Sequence, residues 1–197
     1  MSRNPIIQYK EKLKNPSETV VMDLASSRNV KELFERFPQI DVLVNNAGGA
    51  LGKEPIQDGA IEDWDTMIDT NVKGLLYVTK VLLPIMCKNQ KGHIVNLCSI
   101  AGKQVYSEGN VYCAAKHAVD AISKGIRIDA LPYNVKVTNI CPGAVETEFS
   151  IVRFHGDTEK AAATYKGFTP LTAEDIADTI MYCVSLPAHV CINDLTI

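Results

Sequence analysis

Residues 96–116, Asn-Leu-Cys-Ser-Ile-Ala-Gly-Lys-Gln-Val-Tyr-Ser-Glu-Gly-Asn-Val-Tyr-Cys-Ala-Ala-Lys, pass from the end of an apolar run through a glycine-bearing loop into the start of a helix. The run His93 to Leu97 is strand-like, so Ser99 stands at the strand's C-terminal end. In open α/β sheets that edge is where ligands bind. Tyr112 and Lys116 are four residues apart, which on a helix sets them on one face with Cβ atoms about 5–6 Å apart. An ammonium so close favours the phenolate, drawing a tyrosine pKa from about 10 toward the working range of a general acid/base. Ser99 would then hold a substrate oxygen beside the phenol.

The rest of the chain repeats the alternation. Asp41-Val42-Leu43-Val44 is a short apolar run bounded by polar residues, as a buried parallel strand should be, and Asn45-Asn46-Ala47-Gly48-Gly49 forms the turn after it. Residues 61–88 read as a long helix with an apolar period through Trp64, Met67, Ile68, Leu75, Leu76, Val78, Val81, Leu82 and Ile85. It is perturbed near Asn71, a polar residue on a buried face that needs a partner. Pro84 is expected to bend or end it a turn early. Residues 110–131 form the next helix, with an outward stripe of Val119, Ile122 and Ile126 predicted as a helix–helix surface. Val135 to Ile140 alternates as a strand and ends in Cys141-Pro142-Gly143. Thr172-Ala173-Glu174-Asp175 is a capping box opening a helix to Ser185, and Ile192 to Ile197 reads as a last edge strand. The pattern predicts one α/β domain over residues 1–197, whose 46% hydrophobic content is ample for a single core.

Composition narrows the function classes. A net charge of −3 with no basic block disfavours nucleic acid and anionic membranes as partners. No run approaches the roughly 18 apolar residues of a membrane span, and Met1 is followed by polar sequence, so the expected location is the cytoplasm. The six cysteines never form Cys-x-x-Cys, which fits reduced thiols packing as small hydrophobes. His93, His117, His155 and His189 share no ligand spacing, so no metal is expected. Ser99 lies in Ser-Ile-Ala-Gly, not G-x-S-x-G, which argues against a hydrolase elbow.

With seven tyrosines and fifteen lysines, a Tyr-x-x-x-Lys pair arises readily by chance. Its company makes it specific: Asn45-Asn46-Ala47-Gly48 after an apolar strand, Asn71 heading Asn71-Val72-Lys73-Gly74, Ser99 thirteen residues before Tyr112, and Pro142-Gly143 after a further strand. In this order the set resembles the short-chain dehydrogenase/reductase family, from about residue 2 to the C-terminus. That resemblance implies a Rossmann-type doubly wound parallel sheet with NADP, or less readily NAD, as cofactor. The segments 62–71, 109–112, 147–154 and 186–190 look like the branch of NADP-dependent 3-hydroxy acid dehydrogenases that oxidise serine and allo-threonine.

Carried over, Tyr112 would donate or accept the proton, Ser99 would orient the substrate oxygen, Lys116 would lower the phenol's pKa and hold the ribose, and Asn71 would anchor a relay water. Asp23 and Leu24 would meet the adenine, Asn46, Ala47 and Gly48 would approach the cofactor, and Pro142, Gly143, Val145 and Thr147 would lie along its nicotinamide half. Arg3 would accommodate the 2′-phosphate of NADP. Residues 146–170 would form a substrate lid, with Arg153 a bidentate clamp for a carboxylate. The resemblance also implies a homodimer or homotetramer through the helices 61–88 and 110–131.

One departure stands out. No G-x-G-x-x-G occurs in the chain, so the backbone N–H groups that would bind the pyrophosphate are lacking. The first two strands of the family pattern are accordingly expected to be missing, leaving the strands at 19–22 and 41–44 without central neighbours. Two readings follow: an NADP-dependent oxidoreductase of small 3-hydroxy acids, or of 3-oxoacyl and other carbonyl compounds by the same residues; or a truncated relative that does not bind the cofactor, inactive or acting through protein interaction.

Overall fold

The computed structural model describes residues 39–197 together with Val20, Asp23, Leu24, Ser26, Arg28, Val30, Lys31 and Phe37. Arg3 and the strand expected at 19–22, apart from Val20, lie outside the described residues.

Four strands appear in the described sheet, all parallel and in chain order: β1 (Val42–Asn45), β2 (Gly92–Leu97), β3 (Val135–Cys141) and β4 (Asp194–Thr196). The crossovers are helical, as parallel pairing requires. β1 leads to α1 (Ile61–Ile68), a π-helical segment (Asp69–Gly74) and α2 (Leu75–Asn89); β2 leads to α3 (Asn110–Ala130). After β3 come two short helices, α4 (Phe149–Arg153) and α5 (Thr158–Ala163), then α6 (Ala173–Ser185). The fold is thus the Rossmann-type α/β sheet expected. β2 is buried along its whole length and β3 almost so, whereas Val42 and Val44 on the outer side of β1 remain 42% and 40% exposed.

Both faces of the sheet are covered. On one, Ile94, Val137, Leu82, Met86, Val119 and Ile126 make the main core under α2 and α3. On the other, Val95, Leu97 and Ile140 pack with Ile176 and Cys183 of α6. The α6 start is set by the capping box: Thr172 Oγ1 accepts from Asp175 N–H, and the Asp175 carboxylate accepts from Thr172 N–H.

Two expectations are corrected. The stripe Val119, Ile122, Ile126 does not point outward: Val119 is 1% and Ile126 8% exposed, and Ile122 packs against the same core. A helix lying on a sheet buries its apolar stripe there, so the outward side of α3 instead shows residues such as Ile128. Nor does Pro84 end its helix, which runs on to Asn89 and stops where Gln90 turns left-handed at φ 50° and its N–H meets the Met86 and Cys87 carbonyls.

Beneath the sheet's C-terminal edge runs a polar ladder. Asn45, Asn96, Asn139 and Asp194 occupy one register level across all four strands. Asn45 Nδ2 donates to Asn96 Oδ1 at 2.8 Å, Asn96 Nδ2 to Ser123 Oγ of α3 at 2.9 Å, and Asn139 Nδ2 to both Asp120 at 3.0 Å and Asp194 at 3.1 Å. Lys103 closes it by bridging Asp120 and Asp194 at 2.5 and 2.6 Å. Each buried amide is satisfied, which ties the strand ends to α3.

Candidate active site

β2 ends at Leu97, and Ser99, extended at φ −176°, caps a 3-10 turn over Ile100–Gly102 by accepting from Ala101 N–H at 3.1 Å. α3 then begins at Asn110 and carries Tyr112 and Lys116 one turn apart against the same sheet edge. Lys116 is buried, donates from Nζ to the Leu97 carbonyl at 2.9 Å, and lies 5.9 Å from the centre of the Tyr112 ring. Ser99, Tyr112, Lys116, Pro142, Gly143 and Arg153 line one open cleft of about 1680 Å³ at the strand ends.

The electrostatics differ from the expectation. Burial pushes the Tyr112 phenol above the ordinary tyrosine range; the nearby Ser99 hydroxyl and the Arg153 charge only partly offset this. Burial outweighs the attraction of Lys116 for the phenolate in this structure. Burial lowers the lysine itself to about 8, since its ammonium has lost water and faces a carbonyl rather than an anion.

Asn71 sits in the π-helical segment, and this is the perturbation expected in the helix. Its Nδ2 donates to the Met67 carbonyl at 2.8 Å and the Gly49 carbonyl at 2.9 Å. Its Oδ1 is buried with no partner among the described residues. Gly48, at φ +153°, passes so near that a Cβ there would stand 2.4 Å from that oxygen and 3.8 Å from Lys116 Nζ. Only glycine leaves room for an unsatisfied acceptor beside a buried ammonium.

Arg153 is the least expected placement. Read as one charge in a polar lid, it is 9% exposed. Its Nε donates to the Gly52 carbonyl at 3.0 Å and its Nη1 to Tyr106 Oη at 2.8 Å, while Gly52 N–H donates back to the Arg153 carbonyl at 2.9 Å. The guanidinium stacks 5.5 Å from the Tyr106 ring and 5.7 Å from the Tyr112 ring, and Nη2 is buried without a partner among the described residues. Tyr106 in turn rests on Gly109, where a Cβ would come within 2.2 Å of its ring. Tyr106 and Gly52 were missed in the sequence, which holds no local signal that a residue near 50 and one near 106 converge on Arg153. Phe149 packs edge-on against Tyr112 at 5.7 Å, and His155 pairs with Asp63 at 3.0 Å, joining the segment after α4 to α1.

The other anticipated residues divide. Asn46, Gly48, Val145 and Thr147 line the cleft, although Thr147 Oγ1 already accepts from Phe149 N–H at 3.2 Å. Ala47 is exposed at the same turn. Leu24 packs on the main core beside Gly74, with Asp23 exposed next to it. Among the described residues no group of three or more His, Cys, Asp or Glu is placed to hold a metal ion, and no helix is long and apolar enough to cross a membrane.

Residues 2–157 match the family model described as short chain dehydrogenase. The chain belongs to the short-chain dehydrogenase family. This short-chain dehydrogenase is 48% identical over 180 residues to an NADP-dependent 3-hydroxy acid dehydrogenase of Salmonella typhi, covering 89% of the chain and 73% of that relative. It is 47% identical over 171 residues to a serine 3-dehydrogenase of Agrobacterium fabrum, covering 87% and 68%. Its fold superimposes with a TM-score of 0.94, at 43% identity, on the closed form of a serine dehydrogenase complexed with NADP+, covering 98% of this chain and 79% of that one.

Proposed function

We propose that this short-chain dehydrogenase oxidises the hydroxyl of small 3-hydroxy acids, serine and allo-threonine among them, with NADP, or reduces the matching carbonyl. The observation that carries the reading is Nη2 of Arg153, a buried guanidinium nitrogen beside Tyr112 with no hydrogen-bond partner among the described residues. Such an orphan is costly unless an acceptor arrives, and with Nε and Nη1 engaged, Nη2 is placed to donate a charge-assisted bond to one oxygen of a carboxylate.

Asn46, Gly48, Lys116, Pro142, Gly143, Val145 and Thr147 would hold the cofactor, and Gly48 fits this by letting the chain pass where a Cβ has no room. NADP, when bound, would supply the acceptor for the hydride leaving the carbon that bears the hydroxyl. The chain's own residues do the rest. Ser99 holds the substrate oxygen by hydrogen bond, Tyr112 takes its proton, and Arg153 fixes the carboxylate so that the hydroxyl faces the phenol. Asn71 Oδ1 accepts from a water, which links Lys116 to solvent and carries the proton away. Lys116 hydrogen-bonds the ribose and, while charged, favours the phenolate. With the apolar stripe of α3 turned to the sheet, exposed Leu76 and Ile128 on the helices at 61–88 and 110–131 support pairing of subunits there in a homodimer or homotetramer, as a cytoplasmic enzyme.

The test is a panel of steady-state rates with NADP and NAD. Small 3-hydroxy acids should be turned over with NADP preferred, and neutral alcohols of equal size should be poor. Rates indifferent to the carboxylate would overturn the reading in favour of a general carbonyl reductase.

A further inference from the structure

Two thiols that the proposed reaction leaves unused sit directly under the site. The register that sets Leu97 against Ile140 continues one residue further, with Cys98 N–H donating to the Ile140 carbonyl at 2.7 Å. Cys98 and Cys141 therefore stand side by side on neighbouring strands, and both belong to the core cluster under α3. Adjacent strands lie about 4.7–4.9 Å apart, inside the roughly 4.4–6.8 Å Cα separation that a disulfide spans. Cys98 immediately precedes Ser99 and itself lines the cleft. Cys141 immediately precedes Pro142-Gly143.

The surroundings divide the pair into a nucleophile and its resolving partner. The neighbouring Cys141 thiol, the Ser99 N–H and the Lys116 charge together outweigh burial and bring the Cys98 thiol below the ordinary cysteine range. The same pairing, with burial and nearby Asp194, pushes Cys141 up, so it keeps its proton. A thiolate, not a thiol, is the species that attacks a peroxide. As a thiol, Cys98 donates to the Lys116 carbonyl at 3.2 Å, tying β2 to α3, and a Cβ on Gly102 would lie 2.4 Å from its sulfur. Movement of that sulfur is thus felt at once by the helix carrying Tyr112 and Lys116.

We propose that Cys98 and Cys141 form a peroxide-responsive dithiol that reversibly silences the site. The Cys98 thiolate attacks one oxygen of hydrogen peroxide, expelling hydroxide and becoming a sulfenic acid; sulfur loses two electrons and the peroxide gains them. Cys141 sulfur then displaces the new hydroxyl, its proton leaving with it as water. The net change is two thiols and one peroxide to one disulfide and two waters. Closing the sulfurs to about 2.05 Å breaks the bond from Cys98 to the Lys116 carbonyl and shifts Ser99 against Tyr112. Occupancy of the cleft by NADP shields Cys98 and slows the step.

The experiment is thiol mapping by mass spectrometry on the full chain. Reduced protein is treated with hydrogen peroxide at neutral pH, blocked with iodoacetamide and digested. The expected result is a linked pair of peptides carrying Cys98 and Cys141, lost on dithiothreitol treatment, with Cys87, Cys113, Cys183 and Cys191 alkylated. Turnover should fall by about a hundred-fold, the scale of an ångström-sized misplacement, and return on reduction. In Cys141→Ser, a sulfenic acid should persist on Cys98 and be captured by dimedone. Full alkylation of Cys98 and Cys141 after peroxide, or direct passage of wild-type Cys98 to a sulfinic acid without the link, would overturn the proposal. The linked peptides read out whether or not the substrate assigned above is right.

Discussion

Replacing Arg153 with Met removes the guanidinium and keeps an apolar stem of similar length. Nε and Nη1 are already engaged by the Gly52 carbonyl and Tyr106 Oη at 3.0 and 2.8 Å, which leaves Nη2 as the free donor. A hydrogen bond to a charged group contributes about 1.5–3 kcal/mol, and about 1.4 kcal/mol is a factor of ten. kcat/KM for a 3-hydroxy acid should therefore fall roughly 10- to 150-fold. Lys should not rescue it, because a compact ammonium cannot hold the Gly52 carbonyl and Tyr106 Oη in one plane while presenting a further donor to the substrate. The control is the uncharged amide of the same acid, which cannot use the clamp's charge; its kcat/KM, poor in the wild type, should change by less than about three-fold. Loss of structure would lower both substrates together, so equal losses, or an unchanged acid, would refute the reasoning.

Three further outcomes are expected. Gly109→Ala should drive Tyr106 off its place against Arg153, since its Cβ would lie 2.2 Å from that ring, and the preference for acid over amide should narrow by about ten-fold; an unchanged preference would separate Tyr106 from the clamp. His93 is buried against Thr138 at 2.7 Å, and burial, aided by the Lys136 charge, lowers it to about 4; because the unfolded chain binds this proton near pH 6.5 and the folded one only near 4, stability falls as pH drops between those values, by on the order of 2–3 kcal/mol. Urea unfolding at pH 7.5 and 4.5 should show that loss in the wild type and a smaller one in His93→Gln. Asn96→Ala removes the 2.8 Å acceptor of Asn45 Nδ2, leaving it the longer bond to Thr79 Oγ1 at 3.4 Å, and removes the donor to Ser123 Oγ; it should cost about 1–3 kcal/mol in the same assay.

What could be read from the sequence was whatever local spacing encodes. Ser99 at a strand end, Tyr112 and Lys116 a turn apart and Pro142-Gly143 after a strand need only element type and periodicity, and they meet in one cleft. Periodicity also drew out the stripe Val119, Ile122, Ile126, but it cannot say whether a sheet or another subunit covers such a face. The attraction of Lys116 for a phenolate is visible in an i, i+4 pair; the burial that outweighs it is a tertiary property. Arg153 lies in a polar stretch and is buried only because Gly52 and Tyr106, 101 and 47 residues away along the chain, close around it. The pairing of Cys98 with Cys141 and the ladder Asn45, Asn96, Asn139, Asp194 depend on strand register, which is fixed by packing between segments. An asparagine at the end of each of three apolar runs was the available hint.

The proton transfer assigned to Tyr112 is tested most directly by Tyr112→Phe, which keeps the ring against Phe149 and Arg153 and deletes only the hydroxyl. With a small 3-hydroxy acid and NADP, kcat should fall by at least about a hundred-fold, within the roughly 10²–10⁴ that general acid/base catalysis supplies, while NADP binding by calorimetric titration stays within about three-fold. A Phe variant that retains most of its kcat would contradict the account.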